Sequence, residues 1–157
     1  MMSIMKRLST LICLLVLTLA FASCEKNKTE KVQEIGYGTS FGMCAGYCLN
    51  NVVVVNTGEI TFSKTANGIN PSTKTCTKEI TEAEVRTLKG LVKASDFNKL
   101  PEVIGCPDCA DGGAEWVALK LEGKLKRVTF EYGNAPDEIK ELVIKLREIK
   151  ESFKDCN

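Results

Sequence analysis

The chain has 157 residues, of which 44% are hydrophobic and 26% charged, and these values are typical of a globular protein with one substantial core. The formal net charge of +1, without a basic cluster, gives no footprint for nucleic acid. Histidine is absent, which excludes Ser-His-Asp and Cys-His catalysis and histidine-ligated zinc or haem. The P-loop, GxSxG and GxGxxG motifs are absent as well. The sequence therefore predicts no cofactor and no catalytic residue.

The first 23 residues are typical of a secretory signal peptide. Lys6 and Arg7 precede an apolar run, Leu8–Phe21, that is shorter than the ~20 residues of a membrane-spanning helix. The ending LAFASC resembles the lipobox of bacterial lipoproteins, whose cysteine is lipidated after cleavage, with Phe21 in place of the usual leucine. The alternative is a secreted protein in which Cys24 forms a disulfide, but cleavage would expose Cys24 at the new N-terminus. We therefore predict lipidation at Cys24 and attachment to the lipid bilayer through N-terminal acyl groups.

The segment after the signal is expected to be a flexible tether. Residues 24–34 are charged and almost free of apolar side chains, so they cannot bury enough surface to offset the entropy lost on ordering. A single folded domain is predicted at 35–157. Glu25, rather than aspartate, follows the cysteine, which favours the outer membrane of a bacterial cell envelope.

The clearest pattern in the domain is a β-hairpin at 115–132. Val117 and Leu119 alternate along one arm, Val128 and Phe130 alternate along the other, and a two-residue turn at Gly123-Lys124 would pair Leu119 with Val128.

A second hairpin is expected where residues 52–55 meet residues 60–62. Pairing Asn56 with Glu59 would place Val53 and Val55 on the apolar face. The glycine-rich segment before it is interpreted as an irregular or edge segment with a short strand near residues 37–41. Residues 65–78 are polar and are interpreted as a loop.

Two helices complete the pattern. Thr81 and Glu84 form a capping box at the start of the first helix, and Pro136 precedes a final helix whose apolar residues recur at helical spacing. The order is hairpin, helix, hairpin, helix. The predicted fold class is therefore α+β, with two β-hairpin–helix units (ββαββα) that form a four-stranded sheet with both helices packed on one face.

The domain contains six cysteines, and an even number in an exported protein favours disulfides. They are Cys44, Cys48, Cys76, Cys106, Cys109 and Cys156. We expect Cys106 and Cys109 to close a local loop. We also expect Cys76 to pair with Cys156, because the start of the first helix and the end of the last would meet at one end of the sheet. Other pairings, such as Cys48 with Cys76, remain open.

Metal and redox chemistry are the alternatives for these cysteines. Cys44 and Cys48 could bind zinc together with Cys106 and Cys109, but the predicted topology puts the two pairs at opposite ends of the sheet. Cys106-Pro107-Asp108-Cys109 has the spacing of a redox dithiol, without the helix that normally follows one. Three nearby acids could contact calcium, although their spacing does not match an EF-hand; they are Asp108, Asp111 and Glu115.

The segments FGMCAGYC and LEGKLKRVTFEYGNAP resemble those of a family of small exported bacterial lipoprotein domains of unknown function. The family carries a Cys-x-Gly-x-Cys-like element, which here reads Cys44-Ala45-Gly46-Tyr47-Cys48. The resemblance covers about residues 35–153. It implies an exported domain of this kind and brings no activity with it.

Two classes of function follow from these patterns. The first is a non-catalytic binding module that is anchored to the membrane and contacts a protein partner in the envelope. The second is a thiol-redox or zinc-binding protein that uses Cys106 and Cys109.

Overall fold

A computed structural model describes residues 32–156. The predicted signal peptide, the lipidation site at Cys24 and most of the predicted tether lie outside these residues. Within the described part of the chain, none of the helices is long and apolar enough to cross a bilayer.

The described residues form one sheet of seven strands, in the spatial order β4-β3-β2-β1-β6-β7-β5. All neighbouring strands are antiparallel except β5 and β7, which are parallel. The strands are β1 (Val32–Ser40), β2 (Tyr47–Val55), β3 (Glu59–Ala66), β4 (Thr73–Glu79), β5 (Val103–Ile104), β6 (Ala114–Leu121) and β7 (Lys124–Glu131).

Three α-helices accompany the sheet within residues 32–156. They are α1 (Glu82–Gly90), α2 (Ala94–Lys99) and α3 (Lys140–Glu151). Short 3-10 turns lie at Cys109–Asp111 and at Asp137–Ile139. The predicted capping box is confirmed, because the Thr81 hydroxyl accepts from the Glu84 N–H and the Glu84 carboxylate accepts from the Thr81 N–H.

The predicted four-stranded ββαββα sheet with two helices is wrong. The structure has seven strands and three helices, and two of the unpredicted strands are long. The polar segment interpreted as a loop forms β4 at the sheet edge, where its threonine and lysine side chains stay in solvent and leave no apolar alternation in the sequence.

β1 is the central strand, although its sequence reads as an irregular segment. It pairs with β2 on one side and with β6 on the other, and it begins at Val32, within the stretch assigned to the tether. Gly36 and Gly38 weaken the strand signal. Gly38 is required by packing, because a Cβ at this position would overlap the Trp116 indole and lie 2.6 Å from the Asn50 carbonyl oxygen.

The β6–β7 hairpin is present with a register two residues away from the predicted one. The structure pairs Val117 with Val128, and the turn residues are Glu122 and Gly123, at φ 50° and 80°. Two positive φ angles are those of a type I′ turn, whose twist matches that of the strands. Because side chains alternate with a period of two, this shift leaves the predicted apolar rows on the buried face.

The β2–β3 hairpin differs from the prediction by one residue. Val52 and Val54 face the core, and Val53 and Val55 lie on the opposite face. The loop has three residues and ends at Gly58, whose φ of 94° is that of a left-handed residue. A slip of one residue exchanges the two faces of a strand, so the predicted face of β2 is wrong.

The core lies between one face of the sheet and the helices. Helix residues such as Leu88, Phe97, Leu142 and Leu146 form one buried cluster with sheet residues such as Tyr37. The opposite face of the sheet carries Trp116, which is 5% exposed and lies outside that cluster.

The C-terminal segment after α3 packs over β3 and β4. Phe153 stacks on Phe62 with ring centroids 5.2 Å apart, and Lys64 donates to the Cys156 carbonyl. Cys76 and Cys156 have Cα atoms 6.0 Å apart and sulfur atoms at bonding distance. The pair was predicted because Cys76 was expected in a loop near the start of the first helix. In the structure Cys76 lies within β4 instead.

Removing the Cys76–Cys156 pair should cost much more stability than removing a local pair. The two residues are 80 positions apart, and closing such a loop is worth about 4 kcal/mol in the chain-entropy treatment. The double substitution Cys76→Ala/Cys156→Ala should lower the free energy of unfolding in urea by about that amount. The matched control, Cys44→Ala/Cys48→Ala, opens a separation of 4 and should lose about 2 kcal/mol.

Non-reducing peptide mapping tests the pairing directly. A peptide that joins Cys76 to Cys156 is expected. A free Cys156, or one linked to another cysteine, would contradict the arrangement.

Candidate functional site

Several loops meet at one end of the sheet, which we call the loop end. The Gly42 N–H donates to Asp108 Oδ1 at 3.3 Å, and Asn67 Nδ2 donates to the carbonyl oxygens of Phe41 and Gly42. The Phe41 and Tyr132 rings meet edge to face at 4.9 Å. The loop end comprises residues 41–46, 67–72, 105–113 and 132–135.

Three cysteines of the zinc alternative lie in the loop end, namely Cys44, Cys106 and Cys109, and Cys48 is the second residue of β2 beside it. The predicted topology that placed the two pairs at opposite ends of the sheet was wrong. Each pair nevertheless closes within its own loop, with Cα–Cα distances of 5.7 Å for Cys44–Cys48 and 5.5 Å for Cys106–Cys109. In residues 32–156, no three cysteine, histidine, aspartate or glutamate side chains are placed to hold a metal ion. Sulfur atoms at bonding distance from each other are not thiolate ligands, so the geometry does not favour zinc.

The surroundings of Cys106 and Cys109 do not favour a reactive thiolate. The Cys106 N–H donates to Glu131 Oε1 at 2.9 Å, and Asp108 lies between the two cysteines. Nearby carboxylates disfavour a thiolate, whereas redox dithiols use positive charge or a helix N-terminus to stabilise it. Here Cys109 begins a 3-10 turn of three residues.

The loop around this pair has a constrained backbone. Asp108, Ala110 and Asp111 have φ angles of 64°, 51° and 59°, which non-glycine residues rarely adopt. The Asp108 N–H donates to the Gly113 carbonyl at 3.0 Å, which holds the loop in this form.

The buried carboxylate of Glu115 forms a hydrogen bond to the loop end. Glu115 is 0% exposed and receives hydrogen bonds from Tyr37 Oη at 2.5 Å, from Arg147 Nε at 2.7 Å and from Arg147 Nη2 at 2.5 Å. The Gly133 N–H donates to Glu115 Oε2 at 3.2 Å. Because Glu115 is enclosed by these donors, it cannot join Asp108 and Asp111 in the calcium site considered from sequence.

Burial and the contacts within this network shift the pKa values of Glu115, Tyr37 and Arg147. Burial alone would raise the pKa of Glu115, but the hydrogen bonds from Arg147, Tyr37 and Gly133 outweigh it and lower the pKa. Burial and the adjacent carboxylate raise the pKa of Tyr37. The hydrogen bonds to Glu115 raise the pKa of Arg147. Glu115 and Arg147 are therefore an ionised pair across the neutral pH range.

The loop end also exposes apolar side chains. Met43 is 80% exposed, Ile69 is 99% exposed and Tyr132 is 47% exposed, and each lies on a different loop. Loops at one end of a sheet are where binding residues are commonly found, so these exposed apolar side chains make the loop end the candidate interaction surface.

A second concave feature lies between α1 and α3. It is a cleft of about 340 Å³ with Ile60, Leu88 and Ile149 in its lining. Most of its charged lining residues already have partners: Lys145 Nζ lies 2.7 Å from Glu148 Oε2, Lys78 donates to the Ser152 carbonyl, and Glu84 belongs to the capping box. The cleft therefore offers little polar specificity to a ligand.

No protein-family model matches the chain, and the search of curated proteins found no significant match. The resemblance to small exported lipoprotein domains stays a prediction.

Sequence reasoning missed the Tyr37–Glu115–Arg147 network. A signal for Glu115 was present, because the alternation of β6 puts it on the same face as Val117 and Leu119. A carboxylate on a buried face stays ionised only with a cation or hydrogen-bond donors beside it, so such partners could have been expected. Nothing in the sequence pointed to Arg147, because that depends on where α3 crosses the sheet.

Glu115→Gln should destabilise the domain in a pH-dependent way. At pH 7 the loss of the ion pair should lower the free energy of unfolding by about 2 kcal/mol, a moderate value because the Arg147 side chain is 35% exposed. The folded pKa of Glu115 lies below the ordinary 4.5, so its contribution is present above about pH 4.5 and is lost as the pH falls through the folded pKa.

Urea denaturation between pH 7 and pH 3 measures this effect. The difference between the wild type and Glu115→Gln should shrink toward low pH. A difference that stays constant over this range would show that the charge of Glu115 does not stabilise the fold.

Proposed function

We propose that the chain is a membrane-anchored lipoprotein of the bacterial cell envelope, with a non-catalytic domain that binds a protein partner through the loop end. The observation that carries this proposal is the Gly42–Asp108 hydrogen bond, which joins the β1–β2 loop, where Cys44 lies, to the loop closed by Cys106 and Cys109. Met43 follows Gly42 directly, and Ile69 lies on the loop whose Asn67 bonds to Phe41 and Gly42; both are exposed. Loops that are already fixed lose less entropy on binding, which favours their use in recognition.

The path of the chain supports an anchored module. β1 enters the domain at Val32 beside Leu121 and ends at Ser40 beside Ala114, next to the loop end. Its nine residues span about 30 Å. An anchor at Cys24 would join the domain at the end of β1 that is opposite the loop end, so it would not occupy the proposed binding surface.

Lipidation at Cys24 is the first test. Mass spectrometry of the mature protein should find a diacylglyceryl-modified cysteine at the N-terminus, and Cys24→Ala should leave an unprocessed or soluble product. An unmodified Cys24, or cleavage at another position, would refute the anchor.

Site-specific crosslinking tests the loop end. A photo-reactive residue at position 43 or 69 should join the same envelope protein in intact cells. Ile144 is the matched control, because it is 48% exposed on α3 and is not part of the loop end. The double substitution Met43→Asp/Ile69→Asp should weaken that partner's affinity by about tenfold or more, without changing the unfolding midpoint.

Equal crosslinking from position 144, or an affinity that the double substitution leaves unchanged, would contradict the proposal. Turnover by Cys106 and Cys109 in a disulfide-reduction assay would instead support the redox alternative.

A further inference from the structure

The sheet edge at β7 is only partly covered by the described residues. β5 pairs with Thr129 and Phe130, so the stretch Lys124–Val128 has β6 on one side and no strand on the other within residues 32–156. A cleft of about 580 Å³ runs along this open stretch. An open edge of this kind can accept another strand.

The backbone groups at this edge point outward. The Thr129 N–H donates to the Glu102 carbonyl at 2.8 Å, which shows that the peptide groups of Thr129 face away from β6. Because the direction alternates along a strand, the N–H and C=O groups of Leu125 and Arg127 face the same open side. Two donors and two acceptors are therefore presented to the cleft.

The side chains beside the edge are cationic and apolar. The Arg127 guanidinium lies 3.9 Å from the Trp116 ring centroid, and no carboxylate in the described part of the chain forms an ion pair with it. Lys124 lines the cleft as well, and Glu102 is its acidic lining residue. Leu125 is 65% exposed and Val103 is 60% exposed.

We propose that the open edge of β7 binds an acidic extended peptide segment of another protein by strand addition. The segment's backbone pairs with Leu125 and Arg127, and its carboxylates lie beside Arg127 and Lys124. Its apolar side chains contact Leu125 and Val103. This surface lies away from the loop end, and the proposal does not depend on the function assigned there.

The features of the edge favour a peptide over other occupants. A second copy of the chain pairing through the same edge would bring the cations of both β7 strands together, which is unfavourable. An anionic membrane surface would satisfy the cations but would leave the outward peptide groups without partners. An acidic strand satisfies both.

Trp116 provides the readout, because it is the only tryptophan in the chain. Side chains alternate along β7, so Arg127 and Leu125 lie on one face of the sheet and Lys124 on the other. The probe is therefore a blocked hexapeptide, Val-Glu-Val-Val-Glu-Val, which in antiparallel pairing puts its glutamates opposite Arg127 and Lys124 and a valine opposite Leu125; it is added to the full-length protein in neutral detergent. It should change the tryptophan emission saturably and more weakly as salt rises, whereas a lysine–valine hexapeptide should have no effect.

Two substitutions separate the charge from the backbone contribution. Arg127→Gln should lower the affinity of the protein for the acidic peptide about tenfold, as measured by calorimetry. Leu125→Pro removes an N–H that points away from β6, so the hairpin should persist while peptide affinity falls about fivefold or more. Leu125→Ala is its control, because it keeps the N–H.

Equal binding of both peptides, or an affinity that neither Arg127→Gln nor Leu125→Pro lowers, would overturn the proposal. Absence of peptide binding, combined with binding to phosphatidylglycerol vesicles that exceeds binding to phosphatidylcholine vesicles and that Arg127→Gln lowers, would assign the edge to an anionic membrane surface instead, because acyl groups at Cys24 would bind both kinds of vesicle. Dimerisation that Leu125→Pro abolishes, without peptide binding, would assign it to a second copy.

Discussion

The hydrogen bonds around Glu115 connect three elements that are distant from one another in sequence. Tyr37 comes from the central strand, Glu115 from the start of β6 and Arg147 from the last helix. A carboxylate that is removed from water needs such partners, because an isolated buried charge is very costly. The position of α3 on the sheet is therefore constrained by charge as well as by its apolar residues.

The position of α3 also affects the corner between β7 and α3 and the path of the C-terminal segment. The Gly133 N–H bonds to the other side of the carboxylate, which fixes the corner between β7 and α3. After α3 the chain continues over β3 and β4, where Phe153 reaches Phe62 and Cys156 reaches Cys76. One buried network thus positions the loop end on one side and the C-terminal segment on the other.

The sequence predicted those elements whose signals are local. The capping box at Thr81 and the buried face of the β6–β7 hairpin depend on residues a few positions apart, and both are found. β1 was predicted only as a short strand near residues 37–41, and β4 was missed, because their residues are explained by distant neighbours. Gly38 is a glycine because Trp116 covers it, and β4 is polar because it lies at an edge.

The candidate sites divide in the same way. The cysteines could be identified from sequence, and a local pair such as Cys106–Cys109 follows from spacing. The meeting of the two loops could not be predicted, because it depends on β1 lying between β2 and β6. The predicted registers of both hairpins were wrong because the register depends on the length of the turn. The loop that ends at Gly58 has three residues and the turn at Glu122 has two, and both contain a glycine, so composition did not distinguish them.

The three cysteine pairs differ in how strongly they restrict the unfolded chain. A pair 80 residues apart restricts the unfolded chain strongly, whereas pairs separated by 4 and 3 residues restrict it much less. The Cys106–Cys109 pair lies in the loop where Asp108, Ala110 and Asp111 have left-handed backbones, and the Cys44–Cys48 pair closes the irregular segment that leads into β2. Their main effect is therefore on the shape of the loops, and a surface whose shape is fixed in advance is the kind that recognition requires.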